Sequence, residues 1–289
     1  MRRIVEGVNR WMSDRTHNAL FPGSDQPAFD QPLLGHARGD DPLFAWIKQD
    51  IGPDFFWTPL EAYQAAFPGD AAQPEELSVI AWVLPQTAAT RAAQARATQT
   101  PSLEWTMARH HGEAVNEALR RFVVEHLAGR GIAAVAPVLL PQWRKDLSAR
   151  YGFASSWSER HAAHVCGLGC FGLSDGLITA LGKAVRVGSV VARMVLPPVA
   201  RPYDRHDAWC LRAVGVDCRA CMKRCPAGAI TEAGHDKAVC QAYLREVTEP
   251  YVAREQMGFA VSSCGLCQTG VPCEKTNPTA KRTRRAARE

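Results

Sequence analysis

The chain has 289 residues, 46% hydrophobic and 22% charged, with ten cysteines and a formal net charge of +5. This excludes a disordered chain and suits roughly two domains, whose core needs no disulfide staples. Much of the positive charge sits in the last nine residues, Lys281 to Glu289, by default a frayed solubilising end and otherwise a nucleic-acid contact.

The start, Met1-Arg2-Arg3-Ile4, is charged and has no apolar region of a secretory signal. No apolar run approaches the ~18 residues needed to span a bilayer. The expected location is therefore cytoplasmic, with no membrane partner. Thiols stay reduced there, so grouped cysteines point to metal or catalysis.

The first forty residues, rich in Pro, Gly, Asp and Asn, read as irregular covering structure. Thr58-Pro59-Leu60-Glu61 is a helix start, with Thr at the cap, Pro in the first turn and Glu able to reach back to the cap amide. Residues 77–84 (LSVIAWVL), stopped by Pro85, form an apolar run suited to a buried strand. Thr87 to Thr100 is Ala-rich and reads as a polar loop or short helix. Residues 104–127 place Val115, Leu119, Phe122, Val123 and Leu127 at helical spacing, closed by Gly129 and Gly131. Residues 132–140 are strand-like and stopped by Pro141, and 185–196 are β-branched and end at Pro197-Pro198. Strands alternating with helices predict an α/β (α+β) domain over residues 1–200. Composition shifts at 197–205, and eight of the ten cysteines lie beyond it. The expected boundaries are 1–200, a cysteine module at 201–279 and a basic tail at 280–289.

Within the module, Cys218-x2-Cys221-x3-Cys225-Pro226 is followed by Cys240, Cys264-x2-Cys267 and Cys273. Two-cluster bacterial ferredoxins use a C-x2-C-x2-C-x3-C-P run whose last Cys ligates the other cluster. A short loop can wrap several thiolates round one cubane, and the Pro turns the chain away. Here Gly215 stands three residues before Cys218, so the run is one ligand short. Cys210 is the natural substitute. The assignment is Cys210, Cys218, Cys221 and Cys273 to one 4Fe-4S cluster, and Cys225, Cys240, Cys264 and Cys267 to the other. A ferredoxin-like domain with two 4Fe-4S clusters follows. Zinc is the alternative, but the separation of Cys221 from Cys264 far exceeds a ribbon's spacer of about 15–20 residues. A three-iron cluster, or one with an open iron, stays open if Cys210 points elsewhere.

Gly167-Leu-Gly169-Cys-Phe-Gly172 matches G-x-G-x-x-G. What precedes it looks helical, and no acidic residue follows about 20 positions later, so a nucleotide loop does not fit. The glycines are expected to let backbone approach another flat or bulky ligand. His161 and His164 with Cys166 and Cys170 read either as a third metal site or as a helix end packed on the core.

Ser158-Glu159-Arg160 through Gly172, followed by a β-branched strand, a Pro-rich turn and the cysteine module, resembles epoxyqueuosine reductase. That family is related to the corrinoid-dependent reductive dehalogenases. The resemblance implies an N-terminal α/β domain that cradles cobalamin, with Gly167, Gly169, Gly172 and Arg160 toward the cofactor. It also implies electron delivery through two clusters to a reducible centre. The family's catalytic Asp falls at Phe153 here, which cannot transfer a proton. Cys170 and Leu173 replace the family's aromatic and Lys, and its helical-repeat extension has no counterpart after Cys273. Tyr151 and Glu159 are the candidate replacement acids, with Cys170 and His164 as further ones, although Glu159-Arg160 can equally be a structural ion pair. Arg109-His110-His111 could supply a charged rim or simply a solvated face.

The leading expectation is an iron–sulfur oxidoreductase acting on a small-molecule substrate. Its electrons would come from a low-potential donor such as ferredoxin or flavodoxin. The alternatives are a non-catalytic electron-transfer or corrinoid-handling protein and, ranked last, an enzyme with tRNA as substrate.

Overall fold

The computed structural model describes residues 1–280. In chain order the helices are α1 (Arg2–Ser13), α2 (Pro42–Ile51), α3 (Pro59–Ala66), α4 (Ala88–Arg96), α5 (Leu103–Ala128), α6 (Glu159–Val165), α7 (Ala220–Arg224), α8 (Lys237–Tyr243) and α9 (Glu249–Val252). The strands are β1 (Leu33–Arg38), β2 (Ser78–Pro85), β3 (Ala134–Val135), β4 (Lys145–Ser148), β5 (Gly152–Ser155), β6 (Gly169–Phe171), β7 (Leu177–Thr179), β8 (Val185–Ala192), β9 (Ile230–Thr231) and β10 (Gly234–His235).

The fold is mixed α/β. Its central sheet has the order β1-β2-β8-β3, with every neighbouring pair antiparallel. Side chains alternate across a strand, so β2 feeds two cores. Val79, Ala81 and Val83 face a layer built from α2, α3 and α6. Ile80, Trp82 and Leu84 face a layer built from α1 and α5. A strand covered on both faces has no polar side, which explains the uninterrupted apolar run. Trp82 is fully buried, and its indole N–H donates to Asn116 Oδ1 at 2.9 Å.

α3 carries the capping box expected at Thr58. The Thr58 hydroxyl accepts from the Glu61 N–H, and the Glu61 carboxylate accepts from the Thr58 N–H at 2.7 Å. The strand expected over 132–140 shrinks to β3, because Pro137 has no N–H for the ladder and opens a 3-10 turn instead. β8 likewise stops at Ala192, short of the expected Leu196. The opening residues are not wholly irregular: Ile4, Val8, Trp11 and Met12 line one face of α1 and pack in the α5 layer.

From residue 201 onward regular structure is sparse. α7, the β9–β10 hairpin and a helical stretch from Lys237 to Met257 frame the cysteines. That stretch contains two π-helical turns and stops at Gly258, whose φ is 74°. The connection from the sheet is pinned: Arg201 reaches Asp41 at 2.6 Å, and the Tyr203 hydroxyl donates to the His164 carbonyl. Arg224 donates to the Ala97 and Gln94 carbonyls, and Gln94 Nε2 donates to the Cys264 carbonyl at 2.6 Å. The α4–α5 connection is therefore the surface on which the cysteine segment rests. The basic tail at 281–289 lies outside the described residues.

Candidate functional site

The eight cysteines beyond residue 205 form two spatial groups. Cys210, Cys218, Cys221 and Cys273 line one cavity, together with Lys183 and Leu173. Burial pushes the Cys273 thiol up, and neighbouring Cys221, Cys210 and Cys218 push it further. Burial and the charges of Cys210 and Cys218 act on Cys221 in the same direction. In the second group burial raises Cys264 to about 11, with Cys240 and Cys225 adding to it. Burial also raises Cys267 to about 12, with Cys264, Cys240 and Cys225 adding to it. α7 divides the run, with Cys221 inside the helix and Cys225 just past its end.

Among the described residues no three His, Cys, Asp or Glu donors are placed to hold a single metal ion. A 4Fe-4S cubane makes a different demand, because each of its four thiolates takes a separate iron. Four half-buried cysteines around one space fit that demand. The upward push on Cys221 and Cys273 means that thiolates there need positive charge beside them, which bound iron would supply.

Lys183 gave no signal in the sequence, standing inconspicuously between Gly182 and a β-branched strand. It is 3% exposed. Its Nζ donates to Ser174 Oγ at 2.9 Å, and its N–H donates to the Cys273 carbonyl at 2.8 Å. Its charge opposes the upward push on Cys221, Cys273 and Cys267, so it lies near members of both groups.

The candidate acids lie apart from one another. Glu159 is turned into the fold: one oxygen accepts from Arg120 Nε at 3.0 Å, and the other accepts from the Ser189 hydroxyl. Burial pushes its carboxyl up, against the pull of Arg120. The Glu-Arg pair is not an ion pair with itself, since Arg160 reaches the Asp175 carbonyl instead. Tyr151 sits on the turn of the β4–β5 hairpin, 39% exposed, and its hydroxyl donates to Asp50 Oδ2 at 2.6 Å. Burial, then Asp50, pushes it up to about 12. Phe153 pairs with Leu147 across the hairpin, and both are exposed. Lys237 Nζ donates to the Phe153 carbonyl at 2.9 Å, tying the hairpin to α8, which carries Cys240. His235 completes the link: it lies 3.1 Å from Asp175 Oδ2, and Asp175 and then Cys240 push its pKa up to about 9. Arg160, Asp175, His235 and Cys240 thus run from the hairpin's surroundings to the second cysteine group.

The Gly-Leu-Gly turn has reasons of its own. Gly167 has φ +78° and follows the last residues of α6. The Leu168 N–H donates to the Ala163 carbonyl and the Gly167 N–H to the His164 carbonyl, which is the Schellman helix stop. A Cβ on Gly169 would lie 2.4 Å from the Ile178 carbonyl oxygen of β7, and one on Gly172 would lie 3.1 Å from the Ile178 side chain. The space next to these two glycines is filled by the β6–β7 hairpin itself. As a cradle for a flat ligand the turn does not fit. The neighbouring residues are equally committed: His164 bonds the Gly169 carbonyl at 2.7 Å, and Cys166 and Cys170 are buried against the Val79 and Arg205 carbonyls. Arg109 meets Glu113 at 3.8 Å, and His110 packs on Phe259.

No protein-family model matches the chain, and no curated protein matches it. Solved structures do. An epoxyqueuosine reductase from Streptococcus thermophilus is 12% identical, with 86% of this chain and 65% of that one covered and a TM-score of 0.47. An epoxyqueuosine reductase with a tRNA-Tyr epoxyqueuosine-modified tRNA stem loop is 14% identical, with 96% and 65% covered and a TM-score of 0.46. The catabolic reductive dehalogenase NpRdhA, N-terminally tagged, is 17% identical, with 87% and 31% covered and a TM-score of 0.48. The chain therefore spans 65% of the length of these two epoxyqueuosine reductases and 31% of the dehalogenase.

Proposed function

We propose that the chain is an iron–sulfur oxidoreductase that passes electrons through two 4Fe-4S clusters to a small molecule bound beside the β4–β5 hairpin. One observation supports this reading: Cys210, Cys218, Cys221 and Cys273, far apart in the chain, line one cavity, while Cys225 and Cys240 both act on Cys264 and Cys267. Cys210, Cys218, Cys221 and Cys273 hold one cluster, and Cys225, Cys240, Cys264 and Cys267 hold the other. Electrons enter from a low-potential donor of the ferredoxin or flavodoxin kind. The second group adjoins the Asp175, Arg160 and Tyr151 side of the molecule, where exposed Phe153 and Leu147 offer an apolar surface. A corrinoid, which the resemblance implies, would bind on that open side rather than on the Gly-Leu-Gly turn.

A second reading, an electron-transfer or corrinoid-handling protein without turnover, is favoured by Phe153, which leaves no acid where the resembling family has one. The tRNA reading rests on the tail and is not developed further.

The test is anaerobic preparation with iron, sulfide and cobalt quantified together and the absorption spectrum recorded. The proposal expects about eight irons per chain, as two four-iron clusters require. Zinc in place of iron, or about four irons, overturns it. Loaded clusters that reduce and exchange electrons rapidly, with no turnover on halogenated or epoxide substrates, favour the second reading.

A further inference from the structure

We propose that Lys183 is a shared counter-charge for both clusters, a buried cation that raises their reduction potentials together. This rests on the two-cluster reading above. Lys183 is 3% exposed, yet its side chain is anchored only by the neutral Ser174 hydroxyl at 2.9 Å. Among the described residues no carboxylate forms an ion pair with it. An ammonium taken out of water without an anion is costly, so such a group is kept where negative charge will stand beside it. Among the described residues, the groups its charge acts on are the thiols of Cys221, Cys267 and Cys273. Lys183 lines the cavity of Cys210, Cys218, Cys221 and Cys273, and its backbone N–H is bonded to the Cys273 carbonyl. Its field also reaches Cys267 of the second group.

A cluster held by four thiolates is already anionic, and reduction adds one electron from the donor without removing a ligand. A fixed positive charge nearby favours that more negative state. Net charge and hydrogen bonding around the sulfurs are among the determinants of such potentials.

The experiment is an EPR-monitored potentiometric titration of the reconstituted full chain as wild type, Lys183→Gln and Lys183→Arg, with iron and sulfide quantified in each. Lys183→Gln is expected to make both clusters about tenfold harder to reduce, which is 59 mV for a one-electron couple. Lys183→Arg should keep the wild-type values. Only loaded protein gives a signal, so partial loss of iron leaves the midpoints readable. Should Lys183→Gln take up no cluster while Lys183→Arg loads normally, the requirement for charge at this position is supported. Unchanged midpoints in Lys183→Gln overturn the proposal, as does failure of both variants to load, which marks a packing role. A shift in one cluster only overturns its shared character. Wild-type protein without two clusters would instead sink the underlying reading.

Discussion

Arg120→Met tests what Glu159 does. The Arg120 side chain is 4% exposed and lies 3.0 Å from Glu159 and 3.1 Å from Glu113. It joins α5 to α6 and also donates to the Val187 carbonyl of β8. Methionine keeps much of the volume and removes the cation, leaving Glu159 buried with Ser189 alone. Breaking a buried pair in this way costs about 3–5 kcal/mol. Glu159→Gln is milder, because the amide can still meet Ser189 and Arg120 keeps Glu113. Its cost is that of a charge-assisted hydrogen bond, about 1–3 kcal/mol. Native-state hydrogen exchange on the intact chain reads both without unfolding the cysteine segment. At about 1.36 kcal/mol per tenfold, α5 and β8 amides should exchange roughly two to three and a half powers of ten faster in Arg120→Met. The pH dependence has a definite sign. Burial already holds the Glu159 carboxyl above its ordinary 4.5, and losing Arg120 lifts it further. The variant's deficit is then full above the raised folded value and shrinks as pH falls from there toward 4.5. If Glu159→Gln left protection intact yet abolished turnover, the packing role argued for this carboxylate would be refuted.

The remaining predictions concern the cysteines, His161 and Gly167. Cys225→Ala should remove the same cluster as Cys264→Ala and spare the one lost in Cys218→Ala. The Cys225 and Cys264 double variant should lose no more iron than either single, whereas Cys218 with Cys225 should lose nearly all, read by iron assay and EPR. His161 is held down to about 3, chiefly by burial and then by Arg160, so its unfolded form takes up a proton first. Its contribution is therefore full above the ordinary 6.5 and lost progressively as pH falls toward 3, and thermal midpoints of His161→Phe should fall less steeply on acidification than wild type. Gly167→Ala forces a side chain into the left-handed region and should cost about 1–2 kcal/mol, with Gly167→Asn costing less, measured by thermal denaturation.

Much of the scaffold was legible because its signals are local. The capping box at Thr58 needs only residues 58–61, and the apolar periodicity of α5 and the continuous run of β2 each sit within one element. α1 was harder to see because its buried face of Ile4, Val8, Trp11 and Met12 is interleaved with Arg, Glu and Asn. The sheet's pairing was not legible at all: β2 finds β8 across about a hundred residues, and nothing in either strand names its partner. The same limit governs the site. Cysteine spacing led to the grouping by four, but Lys183 becomes notable only when the fold sets it near both groups. The Gly-Leu-Gly motif failed in the opposite way. A helix stop and a tight hairpin contact need glycine as much as a ligand cradle does, so the pattern alone could not separate them.

Within the proposed function, the proton must come from a residue other than Phe153. At Phe153 the side chain is exposed and the backbone carbonyl holds Lys237, so this position gives the site an anchor and an apolar surface but no acid. Tyr151 has the mobile proton, yet it is committed to Asp50 and held at about 12, far from the value that makes an efficient acid near neutral pH. What could release it is already beside the ring. The Arg150 guanidinium lies 5.1 Å and the Lys237 ammonium 6.0 Å from its centroid. Arg150 favours a tyrosinate, whereas burial, Asp50 and Asp175 oppose it. A ligand that draws Asp50 away removes part of that opposition and leaves Arg150 to favour the charged form. Under the proposed function, Tyr151 would therefore give up its proton only where a bound ligand displaces Asp50 from its hydroxyl.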